Sequence, residues 1–498
     1  MPSICAIATP QAPSALGILR CSGPLSSSIF PDLKPRTATL KNYYALGDKI
    51  GTAPQTPHGK TSGSLVEDPG QAGRKTQALN YGANERVEGR DKKTIEVEPK
   101  GVLLDQVVAT FYEKGKSFTG EDSLELTCHG NPFILQKILA DLLARGFVLA
   151  EPGEFTRRAF TNGRIDLTQA EAIGSLIAAR SERALSAAHR QLAGELGASI
   201  AGFSDKLLTL VAQVEATIDF PEEDVPAHLP AIENFSSIIE NLTALRSTQR
   251  AHHLTFDGAR VAIVGSPNAG KSSLFNALLG KDRALVSPIA GTTRDYIEAQ
   301  TILGGHLVTL IDTAGLNPQA TSVESMGIEK TRDQLSTADI VVFVIDGASS
   351  ASQDFKTFDF KPFATLVVAG KSDLPNFCLP KFSPQNISGY VTPQDPAAIA
   401  VSTKTLAGIG KLKAALVEKL QALMPSADTL MVSARHAAAL DEALNQLSLA
   451  RDLLSKSSNA PLIAHHLRAA LDYLGEILGK FDNEQVLDKL FGQFCIGK

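Results

Sequence analysis

Gly265-Ser-Pro-Asn-Ala-Gly-Lys-Ser272 follows the apolar run RVAIV (260–264) and leads into SSLFNALL (272–279). It fits the pattern GxxxxGK[ST] placed between a buried-type strand and an amphipathic helix. Glycines let such a backbone wrap so that its N–H groups face an anion. Lys271 then reaches the outer phosphates of a nucleotide, and Ser272 offers a hydroxyl to Mg²⁺. Further along, the runs VAIVG (261–265), LVTLID (307–312), DIVVFVID (339–346) and ATLVVAG (364–370) alternate with helical stretches. Strands this continuously apolar are buried on both faces, so they imply a mostly parallel sheet in an α/β domain.

Three more segments fall at spacings that suit the same ligand. Gly291-Thr-Thr-Arg-Asp295 holds threonines able to close onto Mg²⁺ and the terminal phosphate, and Asp312-Thr-Ala-Gly315 ends a strand beside the metal. In Gly370-Lys-Ser-Asp373 the Asp373 carboxylate can accept from both N1–H and the exocyclic amine of guanine. Adenine offers an acceptor at that edge, so this residue selects GTP. Ser402-Thr403-Lys404, after a short strand, is a candidate base-edge loop. Leu316 follows the second segment, where Ras-like GTPases carry the Gln that orients water, so help with hydrolysis must come from elsewhere.

The surrounding chain is longer than one such domain needs. Its 498 residues allow two or three domains; 43% are hydrophobic and 20% charged, and the formal net charge is -5. That balance supplies no global basic field for nucleic acid, so RNA contact must come from a local patch or a partner. The cysteines Cys5, Cys21, Cys128, Cys378 and Cys495 are odd in number and never spaced CxxC. This argues against a disulfide framework or zinc site and for a reducing compartment. The N-terminus does not read as a signal or transit peptide, and no stretch of ~20 apolar residues spans a membrane. A cytoplasmic protein is expected.

Short strands are expected at Ile4–Ala8, Leu16–Cys21 and Tyr43–Leu46, then from Val102 and over SLELTC (123–128), with a helix over 132–145. Residues 51–100, rich in Gly, Pro and charge, read as a flexible surface insertion. From Asp166, which with Thr168 is a candidate cap, apolar residues recur at helical spacing to Ile218, and a second helical segment covers 233–253. Helix returns after Met424-Pro425. The expected domains are 1–160, 161–255, 256–424 and 425–498, with the two helical parts packing together around the inserted α/β domain.

GSPNAGKSS, AGTTRD and DTAGL resemble the bacterial GTPases that include Era, Der and MnmE. ATPQAPSALGILRCSG, FTGED, CHGNP, PGEFTRRAFTNGRIDLTQAEAI, DFPEED and the terminal FCIGK resemble the tRNA-modification GTPase MnmE (TrmE) family in particular, over nearly all the chain outside 51–100. The resemblance implies an N-terminal α+β folate-binding and dimerisation domain, a central α-helical domain and an inserted Ras-like P-loop GTPase domain. It implies GTP contacts at Asn268, Ala269, Gly270, Lys271, Ser272, Ser273, Ser287, Pro288, Ile289, Ala290, Gly291, Thr292, Thr293, Asp312, Thr313, Ala314, Gly315, Lys371, Asp373 and Ser402. It assigns K⁺ to Asn268, Ser287, Ile289 and Thr292, Mg²⁺ to Ser272 and Thr293, and the water-orienting acid to Glu324. A tetrahydrofolate derivative (5-formyl or methylene) would meet Arg20, Glu121, Arg164 and Lys498, Arg164 standing where the family often has Lys. Cys495 would be a functional thiol, a buried packing cysteine being the alternative. The implied assembly is a homodimer joined by an FAD-containing MnmG (GidA)-like partner in a heterotetramer. Its implied activity is K⁺-stimulated GTP hydrolysis coupled to installing a carboxymethylaminomethyl-type group at carbon 5 of the wobble uridine of tRNA.

One departure stands out. The family's guanine motif reads NKxD, and here Gly370 replaces the Asn that braces base and P-loop. Weaker nucleotide affinity is expected, and Gly370→Asn is expected to tighten GDP and GTP together. The rival readings are a ribosome-assembly GTPase of the Era or Der type and a weakly hydrolysing scaffold. Era would need a C-terminal KH domain and Der a second P-loop, and the chain has neither.

Overall fold

The computed structural model describes residues 1–10, 12–46, 101–219, 232–265, 268–280, 297–312, 337–348, 364–379, 398–426, 428–456, 459–480 and 484–497. The insertion expected at 51–100 lies outside them. Two compact units emerge: Met1–Arg164 together with Asp488–Lys498, and Ile165–Leu487.

The first unit is α+β. Strands β1 (Ile4–Ile7), β2 (Leu16–Ser22), β3 (Thr39–Leu46), β4 (Gly101–Tyr112), β5 (Ser123–His129) and β6 (Val148–Leu149) form one sheet in the order β3-β4-β5-β2-β1-β6. All its pairings are antiparallel except β1 with β6. Helix α1 (Pro132–Ala144) is started by Pro132 at its first turn and by the Asn131 side chain accepting from the Phe133 N–H. Its Leu135, Ile138 and Leu142 pack on Cys5, Leu19, Leu124 and Leu126 of the sheet. Helix α2 (Glu154–Thr161), which periodicity did not reveal, follows Gly153 at φ 68°. The C-terminal residues, expected to pack with the second helical part, belong to this unit: Phe491 is buried and its ring lies against Phe160.

The second unit begins with three helices where one long helical run was read. Helix α3 (Leu167–Ala178) has a full capping box, in which Asp166 accepts from the Gln169 N–H and the Gln169 side chain returns to the Asp166 N–H. Asp166, not Thr168, is therefore the cap, and the Thr168 hydroxyl donates to Asp166 Oδ1. Ser181 caps α4 (Glu182–Leu192), and Gly194 at φ 87° turns the chain into α5 (Glu195–Asp219). Then come α6 (Ile232–Ser247), α7 (Gln249–Phe256), β7 (Ala259–Gly265), α8 (Lys271–Leu279), β8 (Ile297–Leu303), β9 (His306–Asp312), β10 (Ile340–Asp346), β11 (Ala364–Gly370), β12 (Ile399–Ala400) and α9 (Ile409–Ala422). The chain closes with α10 (Ala434–Lys456), α11 (Ala460–Leu478) and α12 (Glu484–Phe491).

Residues from both sides of the inserted sheet build a single helical core: Leu196, Leu207 and Val214 of α5 and Phe235 of α6 pack with Leu440 and Leu447 of α10 and Leu467 and Leu474 of α11. The inserted sheet runs β12-β11-β10-β7-β9-β8. It is parallel throughout except for β8, which pairs antiparallel with β9. That hairpin went unread, although Gly304 (φ 56°) and Gly305 (φ 81°) form the two-residue turn that such a connection favours. Core residues cover both faces of the sheet, with α8 and α9 on one of them. Burial on both faces accounts for the continuous apolar runs of β7, β9, β10 and β11.

Candidate functional site

The nucleotide site sits at the carboxyl ends of the parallel strands, where open α/β sheets place ligands. Strand β7 ends at Gly265 and α8 begins at Lys271, with Gly270 (φ 97°) as its N-terminal cap. Asn268 also holds a left-handed φ of 61°, which Asn tolerates better than most residues. Asn268 and Gly270 lead into the α8 N-terminus, the kind of helix end at which anions bind. Lys271 Nζ donates to the Gly265 carbonyl at 2.9 Å, closing the loop on itself. Burial pushes the Lys271 ammonium down from its ordinary pKa, and Asp312 opposes that shift. Asp312 ends β9 almost fully buried, while Ser272 and Ser273 lie exposed in the first turn of α8. A hydroxyl and a carboxylate are hard oxygen donors that suit Mg²⁺.

The base side is built by β11 and β12. Ser402, fully buried, donates its hydroxyl to Asp373 Oδ1 at 2.7 Å. Its Oγ accepts from the Thr405 N–H at 3.1 Å, and its own N–H donates to the Ala407 carbonyl. The Ser402 bond holds the Asp373 carboxyl below the usual carboxylate range, so it is ionised at neutral pH. Lys371, at φ 62°, reaches Asp346 Oδ2 at 2.6 Å and ties the end of β11 to the end of β10. Between the phosphate loop and the base loop lies a cavity lined by Ala269, Gly370, Lys371, Val401 and Thr403. The expected benefit of Gly370→Asn meets an obstacle there, because a Cβ at position 370 would lie 2.9 Å from the Ala269 carbonyl oxygen.

Of the residues expected at this site, the structure brings together Asn268 through Ser273, Asp312, Lys371, Asp373 and Ser402. Ser287, Pro288, Ile289, Ala290, Gly291, Thr292, Thr293, Thr313, Ala314, Gly315 and Glu324 lie outside the described residues.

The first unit gathers a separate set. Arg20 on β2 pairs through Nε with Glu125 at 3.1 Å, and its Nη1 donates to the Gly497 carbonyl at 3.4 Å. The chain terminus is therefore brought to Arg20, with Ile496 bridging to Pro152 and Gly497 at φ 89° against Ala8. Glu121 Oε2 accepts from Arg158 Nη1 at 2.9 Å and from the Ser22 hydroxyl at 2.8 Å. Arg158 is buried and also holds Glu154 and the Pro2 carbonyl. Arg158 is not among the residues expected from the sequence, where its signal is the Glu154–Arg158 i,i+4 spacing on a short helix. The side chain of Arg164 packs beside Gly120, next to Glu121. Lys498 lies outside the described residues. Cys495 is exposed, which removes the buried-cysteine alternative. By contrast Cys5 and Cys128 are buried, and burial pushes their thiols up to about 12 and about 11.

Residues 3–164 match the family description "GTP-binding protein TrmE N-terminus", and residues 167–495 match "MnmE helical domain". The chain belongs to the MnmE family. It is 39% identical over 510 residues to the tRNA modification GTPase MnmE of Opitutus terrae, an alignment that covers 100% of this chain and 99% of that one. The MnmE of Aquifex aeolicus is 40% identical over 407 residues, covering 80% of this chain and 88% of the relative. That of Moorella thermoacetica is 39% identical over 400 residues, covering 80% and 87%. Among the described residues no helix is long and apolar enough to cross a membrane. Within MnmE terms the P-loop and guanine elements belong to one α/β domain, and Cys495, Ile496 and Gly497 of the terminal CIGK fall in the TrmE-type unit.

Proposed function

We propose that this protein hydrolyses GTP and couples the cycle to modification of the wobble uridine of tRNA. The observation that carries the reading is the Ser402–Asp373 pair, an ionised and oriented acceptor for guanine, beside a P-loop whose Lys271 is in place. Lys271 and the α8 N-terminus bind the phosphates, while Ser272, Thr293 and Asp312 would hold or face Mg²⁺, which would supply charge stabilisation there. Asn268, with Ser287, Ile289 and Thr292, would hold K⁺, which would supply a second positive charge to the phosphates. Glu324 orients the attacking water in the place that Leu316 leaves unfilled.

In the TrmE-type unit, Arg20, Arg164 and Lys498 pair with the anionic tail of a tetrahydrofolate derivative, and Glu121, steadied by Arg158 and Ser22, meets its pterin ring. The exposed Cys495, two residues before the Gly497 that Arg20 holds, is the thiol of the modification chemistry. When bound, the folate supplies a one-carbon unit; FAD on an MnmG-like partner supplies the redox chemistry. A homodimer, a heterotetramer with that partner and a cytoplasmic location belong to the same reading.

The test is substrate choice. The full chain should turn over GTP and leave ATP at background, and Asp373→Asn should lose GTP binding by about 10²-fold while gaining xanthosine triphosphate. Equal use of GTP and ATP by the wild-type chain removes the reading.

A further inference from the structure

Gly370 stands where the NKxD pattern has Asn, and its surroundings explain what took the side chain's place. The backbone at 370 is ordinary strand, so space and not conformation decides the residue. A Cβ built there would lie 2.9 Å from the Ala269 carbonyl oxygen and 3.4 Å from that of Ile345. Real Cβ atoms do not approach a backbone oxygen as closely as the first of these.

Neither wall gives easily. On the strand side, the Gly370 carbonyl accepts from the Gly347 N–H at 3.1 Å, and β11 is in register with β10 through Asp346 and Gly370. The Lys371–Asp346 ion pair clamps the next residue, and the Val401 N–H donates to the Ala369 carbonyl on the other edge. On the loop side, Ala269 is buried, Lys271 Nζ closes the loop on Gly265, and Gly265 packs against the Val344 carbonyl so tightly that no side chain fits there either.

We infer that Gly370 is a positioning residue for the nucleotide site: its missing side chain lets the Ala269 carbonyl seat directly on β11, and this backbone packing replaces the Asn brace. The inference rests on the GTP-binding reading above. The P-loop of this chain is set for Gly, so restoring the motif pushes the loop off its seat. Guanine selection is left to Asp373 and Ser402, which the substitution does not touch.

The experiment measures binding of a fluorescent GDP analogue, steady-state GTP hydrolysis and thermal melting for the full chain and for Gly370→Ala and Gly370→Asn. The Ala variant adds one methyl and guards against a misfolded Asn variant. Both variants should bind GDP about 5- to 150-fold more weakly, the span that overpacking of a tight contact produces. KM for GTP should rise with Kd, and the rise in Tm on adding GDP should shrink. Tighter binding by Gly370→Asn overturns the inference, because the loop would then have made room for the brace. Variants that melt lower without nucleotide yet bind GDP with the wild-type Kd also overturn it, since Gly370 would then serve the fold alone. A wild-type chain that binds no GDP defeats the GTP reading itself, a result distinct from either of these.

Discussion

The Ser402 hydroxyl donates to Asp373 Oδ1 at 2.7 Å, and through that bond the loop after β12 fixes the carboxylate at the end of β11. Ser402 has no exposed surface, so its role is to orient the acid. Ser402→Ala should weaken GDP binding by about 5- to 20-fold, the loss of one hydrogen bond to a charged group. Titration with a fluorescent GDP analogue checks this. Because the Asp373 pKa lies below the ordinary carboxylate range, wild-type affinity should be flat from pH 8 to pH 6; a marked fall in that window would contradict an ionised Asp373.

Monovalent cations give a second prediction. Asn268 presents itself from a left-handed backbone position on the P-loop. With K⁺ bound there, turnover at saturating GTP should exceed that in Na⁺ by about tenfold or more, and Asn268→Ala should abolish the difference. Equal rates in the two salts for the wild-type chain remove the K⁺ site.

The C-terminal tail is anchored by Phe491, buried against Phe160 and beside Gly153, and by the Arg157–Asp488 ion pair. That anchor lies in the N-terminal unit and not in the second helical part expected from the sequence. Phe491→Ala should cost that unit about 3 kcal/mol and loosen the tail that carries Cys495. Wobble modification should fall steeply, with the GTPase rate within about twofold of wild type, because the phosphate machinery is elsewhere in the chain. Assaying both in one preparation decides it: a parallel loss of GTP hydrolysis would argue against an independent role for the tail.

An acid-sensitive cluster in the helical core supplies a fourth test. Glu171 on α3 meets Arg435 Nε at 2.6 Å and His436 Nε2 at 2.7 Å on α10. Burial would raise its pKa, but the His436 and Arg435 contacts outweigh burial and bring it from 4.5 to about 2. A carboxyl whose folded-state pKa is depressed stabilises fully above its unfolded value and loses that contribution as pH falls. The window is therefore pH 4.5 down to about 2, and the contribution about 3 kcal/mol. Urea unfolding followed by circular dichroism should show that slope in the wild type and lose it in Glu171→Gln. The same slope in both would assign the acid sensitivity elsewhere.

Much of the fold was legible because burial on both faces writes itself as unbroken apolar runs, as in LVTLID and DIVVFVID, and because helical spacing persists across breaks. The breaks themselves were not legible. Ser181 and Gly194 interrupt the helical run without disturbing its apolar period, so α3, α4 and α5 read as one stretch. Strand β8 escaped notice because IEAQTIL mixes polar and apolar residues as an edge strand does. At the site, P-loop glycines and Asp373 were legible from their chemistry at fixed spacing. Arg158 and the Ala269–Gly370 contact were not, since each depends on which distant segments the fold brings together.

GTP hydrolysis by this chain is expected to drive modification of the wobble uridine. Mass spectrometry of nucleosides from bulk tRNA tests it most directly, in a strain lacking the gene and in the same strain carrying either the wild-type chain or Lys271→Ala. The modified wobble uridine should vanish on deletion, return with the wild-type chain, and stay absent with Lys271→Ala. An unchanged wobble-uridine profile in the deletion strain, or full restoration by Lys271→Ala, would contradict the account.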